Sequence, residues 1–110
     1  MCIPLRKKQM DALNIDSTQF ERIAKALSDR RRFEILQIVA AHTESCCSQI
    51  GERVPVAQPT ISHHLKELTN AGLVVSRREG QHCYYQFRQD VFAAYLEQLR
   101  LSFNRMDESR

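Results

Sequence analysis

At Gly72 the hydrophobic period of this chain changes. Upstream, Ile61, Leu65 and Leu68 recur at helical spacing, and Gln58-Pro59 opens the run with a proline in the first turn, where its missing N–H costs nothing. Ala71-Gly72 closes that run with glycine at the position that favours a left-handed backbone. Downstream, Leu73–Arg78 and His82–Phe87 are β-rich runs separated by Glu79-Gly80-Gln81, a hairpin signal. A helix that stops at glycine and feeds straight into a hairpin leaves few folds open.

The earlier segments narrow the choice. Ser17 or Thr18 is expected to cap a first helix, with Glu21 as the capping-box partner of Thr18. Phe20, Ile23, Ala24 and Leu27 then lie on one helical face. Ser28-Asp29 caps a second helix that carries Phe33, Leu36, Ile38, Val39 and Ala40 and runs to about Ala41. After the polar break His42-Thr43-Glu44-Ser45, the segment Cys46–Arg53 is expected to make two short helical turns, which Pro55 stops. Asp90 is expected to cap a last helix with Phe92, Tyr95, Leu96, Leu99, Phe103 and Met106 on one stripe. The expected fold is mainly α with a β-hairpin wing, a winged helix-turn-helix in the order α-α-α-α-β-β-α. Residues 17–106 form the domain, 1–16 a basic N-terminal arm and 107–110 a C-terminal tail.

Composition excludes several classes of function. A chain of 110 residues has room for one domain. Its 43% hydrophobic and 26% charged residues are a globular balance, not a disordered or fibrous one. No apolar run approaches the roughly 20 residues of a membrane span, and the start lacks a signal-peptide core, so the expected location is the cytoplasm. In that compartment Cys2, Cys46, Cys47 and Cys83 are expected as reduced thiols. Catalysis is not expected. Cys47 or Cys83 with His42 or His82 has no accompanying acid or oxyanion-hole motif, His82 and Cys83 point to opposite faces of a strand, and no glycine-rich phosphate loop is present.

The run Gln58-Pro59-Thr60-Ile61-Ser62-His63-His64-Leu65-Lys66-Glu67-Leu68, followed by Ala71-Gly72-Leu73-Val74, resembles the ArsR/SmtB family of bacterial winged-helix repressors. Ala26-Leu27-Ser28-Asp29-Arg30-Arg31-Arg32 and the wing's Arg78-Glu79-Gly80 extend the likeness over residues 18–105. Pro55 and Ala57 depart from it, standing where many relatives have a turn glycine and a serine cap. The resemblance implies a dimeric repressor that binds double-stranded DNA at an inverted repeat and leaves it when an inducer binds.

The residue chemistry agrees. Outside the apolar stripe, Gln58, Thr60, Ser62, His63, His64 and Lys66 are candidates for solvent or DNA; one of the two histidines faces DNA, and the sequence leaves open which. Gln suits adenine, Ser and Thr suit either class of base edge, and Lys suits guanine or phosphate. Arg77 and Arg78 are the wing's candidates for phosphate or the minor groove, whereas Arg30, Arg31 and Arg32 are placed to meet backbone, an acidic neighbour or the core edge. Sixteen Lys and Arg against thirteen Asp and Glu give only +3, so specificity is expected to rest on base contacts and a symmetric site. The apolar stripes of the first and last helices suggest a homodimer interface, with packing on the chain's own core as the alternative. A winged-helix protein-interaction module without DNA binding is the competing function.

The inducer is open. Glu44-Ser45-Cys46-Cys47-Ser48-Gln49-Ile50 aligns with a family motif whose Cys-x-Cys pair is not intact here, because Ser48 stands in the second position. No histidine follows on the last helix to build the family's zinc site. What remains is the vicinal pair Cys46 and Cys47, with His42 four residues before Cys46. A soft-metal or metalloid effector, thiol oxidation, and no cysteine-based sensing at all stay open, and the fold requires no cofactor.

Overall fold

The computed structural model describes residues 15–103. The N-terminal arm up to residue 14, Cys2, Met106 and the tail lie outside the described residues. The element order is α1 (Ser17–Ser28), α2 (Arg30–Ala40), β1 (Ser45–Cys46), α3 (Cys47–Gly51), α4 (Gln58–Asn70), β2 (Val74–Glu79), β3 (His82–Phe87) and α5 (Gln89–Ser102). This is a winged helix-turn-helix: α3 and α4 form the helix-turn-helix, and β2 and β3 the wing.

Three local expectations are corrected. Asp16, not Ser17 or Thr18, caps α1, because Asp16 holds the extended backbone of a cap and its carboxylate accepts the Gln19 N–H at 2.7 Å. The segment from Cys46 is not a continuous helix. Ser45 and Cys46 pair with Tyr85 and Tyr84 on the open edge of β3, and helix is confined to Cys47–Gly51. A two-residue strand carries no period of its own, so only its tertiary partner defines it. Asp90 is not the cap of α5, which begins at Gln89; its carboxylate instead receives a two-pronged bond from Arg88 at 2.9 and 2.8 Å. That guanidinium holds the Asp90 carboxyl below the usual carboxylate range.

The expected ends elsewhere are in place. Asp29 caps α2 through the Arg32 N–H at 2.9 Å. At the end of α4, Leu73 N–H bonds Leu68 C=O at 3.1 Å and Gly72 N–H bonds Thr69 C=O at 2.9 Å, with Gly72 at φ 84°. This pair of bonds is the Schellman closure, and Leu68 and Leu73 bury its apolar contact completely. Gly80, at φ 64°, starts the two-residue turn between Glu79 and His82, as a tight hairpin of this handedness requires.

One core joins these pieces. Ile23, Ile35, Val39, Ile50, Ile61, Leu65, Leu68 and Leu73 have no exposed surface, so α1 to α4 converge on it. Val74 is buried with them, and Tyr85 and Phe87 pack against it, which turns one face of the wing's base inward. Residues two apart share a face of a strand. Ser76 and Arg78 therefore lie on the inward side with Val74, Cys83, Tyr85 and Phe87, while Arg77, Glu79, His82 and Tyr84 lie on the outer side.

Candidate nucleic-acid interface

The helix α4 is divided sharply by burial. Ile61, Leu65 and Leu68 are fully buried, while Gln58, Thr60, Ser62, His63 and Lys66 are exposed. The two histidines differ in exposure: His63 faces solvent, and His64 is 8% exposed. His64 is thus corrected as a candidate DNA contact. Helical spacing aligns position 64 with Ile61, Leu65 and Leu68 on the buried stripe. Burial depresses its imidazole below the ordinary range, with nearby Arg32, His63 and Arg31 acting in the same direction and Asp29 opposing them. Its Nδ1 is buried without a hydrogen-bond partner.

Two contacts hold the start of α4 against α3. The Cys47 thiol donates to Gln58 Oε1 at 3.0 Å and lies 3.5 Å from Ser62 Oγ. The Gln58 amide also lies over Gly51, where any Cβ would collide with its Nε2. At the other end of α4, Gln19 of α1 donates to the Ala71 carbonyl at 3.2 Å. Helix α4 is therefore braced at both ends by polar side chains from neighbouring helices. Neither contact has a sequence signature, because the partners are eleven and fifty-two residues apart.

The basic residues divide by role. Arg32 donates to the Ala26 and Lys25 carbonyls at 2.9 and 3.1 Å, closing the end of α1, and Arg31 pairs with Glu34 at 2.7 Å. Both contacts are of the expected kinds, backbone and an acidic neighbour. On the wing, Arg77 and Arg78 are both exposed but face opposite ways. Arg77 bonds Glu44 through Nη2 at 2.9 Å and Nε at 3.2 Å, bonds Glu79 at 2.9 Å, and stacks 4.9 Å above the Tyr84 ring. Glu44 was not identified from sequence, lying thirty-three residues from Arg77.

The vicinal cysteines also diverge. Cys46 Sγ lies 3.2 Å from Ser48 Oγ, and this hydroxyl, with the Gln49 backbone N–H, lowers the thiol's pKa. Cys47 instead faces α4. Tyr85 shares the inward face with Cys83, and burial together with the Cys83 and Cys47 sulfurs pushes its hydroxyl up to about 12. His42 folds back on the end of α2, its Nδ1 lying 2.9 Å from the Ile38 carbonyl. Among the described residues no group of three or more His, Cys, Asp or Glu side chains is placed to hold a metal ion.

Comparison with known proteins agrees with this geometry. The sequence model of the arsR family of bacterial regulatory proteins matches residues 29–76. The arsenical resistance operon repressor of Staphylococcus xylosus is 36% identical over 80 residues, which is 73% of this chain and 75% of that protein. An uncharacterized HTH-type transcriptional regulator of Bacillus subtilis is also 36% identical, over 68% of this chain and 76% of its own length. Among solved structures, an ArsR-like regulator from Rhodococcus superposes with a TM-score of 0.69 at 28% identity, over 76% of this chain and 77% of that one. A homodimeric winged helix-turn-helix DNA-binding domain from Mycobacterium bovis gives a TM-score of 0.64 at 27% identity, over 96% of this chain and 94% of its own. With the fold, the motif and these relatives in agreement, the chain belongs to the arsR family of bacterial regulatory proteins, which are DNA-binding transcriptional regulators.

Proposed function

We propose that this regulator is a cytoplasmic homodimeric repressor whose two α4 helices read the halves of an inverted-repeat operator. The observation that carries this reading is the solvent face of α4. Thr60, Ser62, His63 and Lys66 stand exposed on a helix whose opposite face is locked into the core. Such a helix, entering the major groove by its N-terminal half, presents base-reading groups without unfolding anything behind them. Gln58 can join them by giving up its thiol contact, and Arg78 lies on the wing face turned toward the core side. Leu96 of α5 and Phe103, just past its end, are 47% and 76% exposed and lie seven residues apart on one side of the helix, an apolar surface suited to a second copy. The homodimeric mycobacterial relative supports that use.

The same reading assigns release to an inducer. Cys46 and Cys47 meet different partners, so a soft ion or metalloid held by both would have to turn one thiol away from its present contact. Disturbing Cys47 would directly disturb Gln58 and Ser62. The test is fluorescence anisotropy of reduced protein on a labelled duplex from upstream of its own gene, repeated with arsenite, zinc, copper(I) and an oxidant. Selective, salt-sensitive binding reversed by one addition supports the repressor and identifies its inducer class. Equal affinity for the upstream duplex and scrambled DNA overturns autoregulation.

A further inference from the structure

Arg77 and Arg78 are neighbours with the same charge, yet their surroundings give them different work. Arg77 stands on the outer face of the wing, in the cross-strand row that joins it to Tyr84 and then to Cys46 of β1. Two residues before Cys46, Glu44 reaches the same face and meets the guanidinium edge-on through Nε and Nη2. Glu79 takes Nη1, and Tyr84 covers the ring-like plane of the fork. One positive charge is thus matched by two carboxylates, leaving the locus net negative and unfavourable for a phosphate. The clamp ties the loop after α2 to the hairpin, beside the point where β1 pairs with β3.

Arg78 has none of these partners. It lies on the opposite face, paired across the strands with Cys83 and close enough to Tyr85 to stabilise its phenolate. That face continues inward to Tyr85, whose neighbour Cys47 touches Gln58 and Ser62 of α4.

We propose that Arg77 is a positioning residue that locks the wing to Glu44, and that Arg78 alone is the wing's phosphate contact. The inference deepens the DNA-binding reading and rests on it. A guanidinium fork can hold Glu44 side-on while stacking on Tyr84, which a lysine cannot do; a phosphate contact, by contrast, tolerates lysine.

The full-length protein is therefore compared with Arg77→Lys, Glu44→Gln, their double variant and Arg78→Gln, on the labelled upstream duplex across a salt series. Arg77→Lys and Glu44→Gln should each weaken binding by about two- to five-fold, the scale of an exposed ion-pair network, with the double variant no worse than either. Their salt slopes should match wild type, whereas Arg78→Gln should flatten the slope by about 0.9 per wing. Tighter binding by Glu44→Gln, full activity of Arg77→Lys, or an unchanged slope for Arg78→Gln overturns the assignment. Amide hydrogen exchange without DNA separates this from failure of the DNA-binding reading. Faster exchange across β2 and β3 in both clamp variants supports the lock even if no duplex is bound, and unchanged exchange overturns it.

Discussion

His64 illustrates how one residue's neighbours outrank its type. It belongs to a His-His pair in the helix proposed to read DNA, yet it is buried, and burial disfavours its protonated ring. Its folded pKa lies below the unfolded value near 6.5, so the unfolded chain binds the proton first. The stability tied to the neutral ring is complete above that value and is lost as pH falls through the folded one. Thermal melts from pH 7.5 to 5 should therefore show an acid-side loss that His64→Gln reduces; equal pH profiles for the two proteins would refute it. Lys66 and His63 make the complementary pair at the exposed surface. Lys66→Ala should weaken binding almost uniformly across DNA sequences and lower the salt slope by about 0.9 per protomer. His63→Ala should change the preference at one base position per half-site, read by anisotropy on single-base operator variants.

At the scale of elements, what matters is how each helix stops and what holds it there. Asp16 satisfies the first turn of α1, and Asp16→Ala should cost about 1 kcal/mol in urea unfolding. Gly72 is more constrained. Its φ of 84° disfavours any side chain, and an added Cβ would also meet the Gln19 amide that bonds Ala71. Gly72→Val should therefore destabilise by more than about 1 kcal/mol and loosen the end of α4, whereas Gly80→Asn, in open space and tolerant of a left-handed backbone, should cost less. Comparing the two midpoints checks both statements.

The whole molecule rests on one core and, in the proposed assembly, one interface. Leu65 joins the recognition helix to that core with no exposed surface, so Leu65→Ala should lose about 2–5 kcal/mol and release DNA through loss of fold. The apolar end of α5 gives the opposite signature. Leu96→Glu with Phe103→Glu should keep the monomer's helical circular dichroism while sedimentation shifts from dimer to monomer, and operator affinity should fall with it. A folded double variant that still sediments as a dimer would place the interface elsewhere.

Local chemistry was enough to reveal much of this protein. The stripe Ile61, Leu65 and Leu68, the glycine at 72 and the β-rich runs around Gly80 each act through neighbours a few residues away. Together they announced a winged helix-turn-helix before any contact was known, and the exposed side of α4 followed from the same periodicity. Where residues 61, 65 and 68 are buried, 64 falls beside them, so the burial of His64 follows from helix geometry once the stripe is packed. Long-range partners were a different matter. The strand at Ser45–Cys46 exists only because β3 has an edge to fill. The lock of Arg77 on Glu44, the brace of Gln19 on Ala71 and the divergence of Cys46 from Cys47 likewise depend on side chains brought together by packing. Sequence specifies what a turn or a face can do because those interactions are local; which arginine is occupied and which thiol meets the reading helix depends on distance in space, and only the folded chain sets that distance.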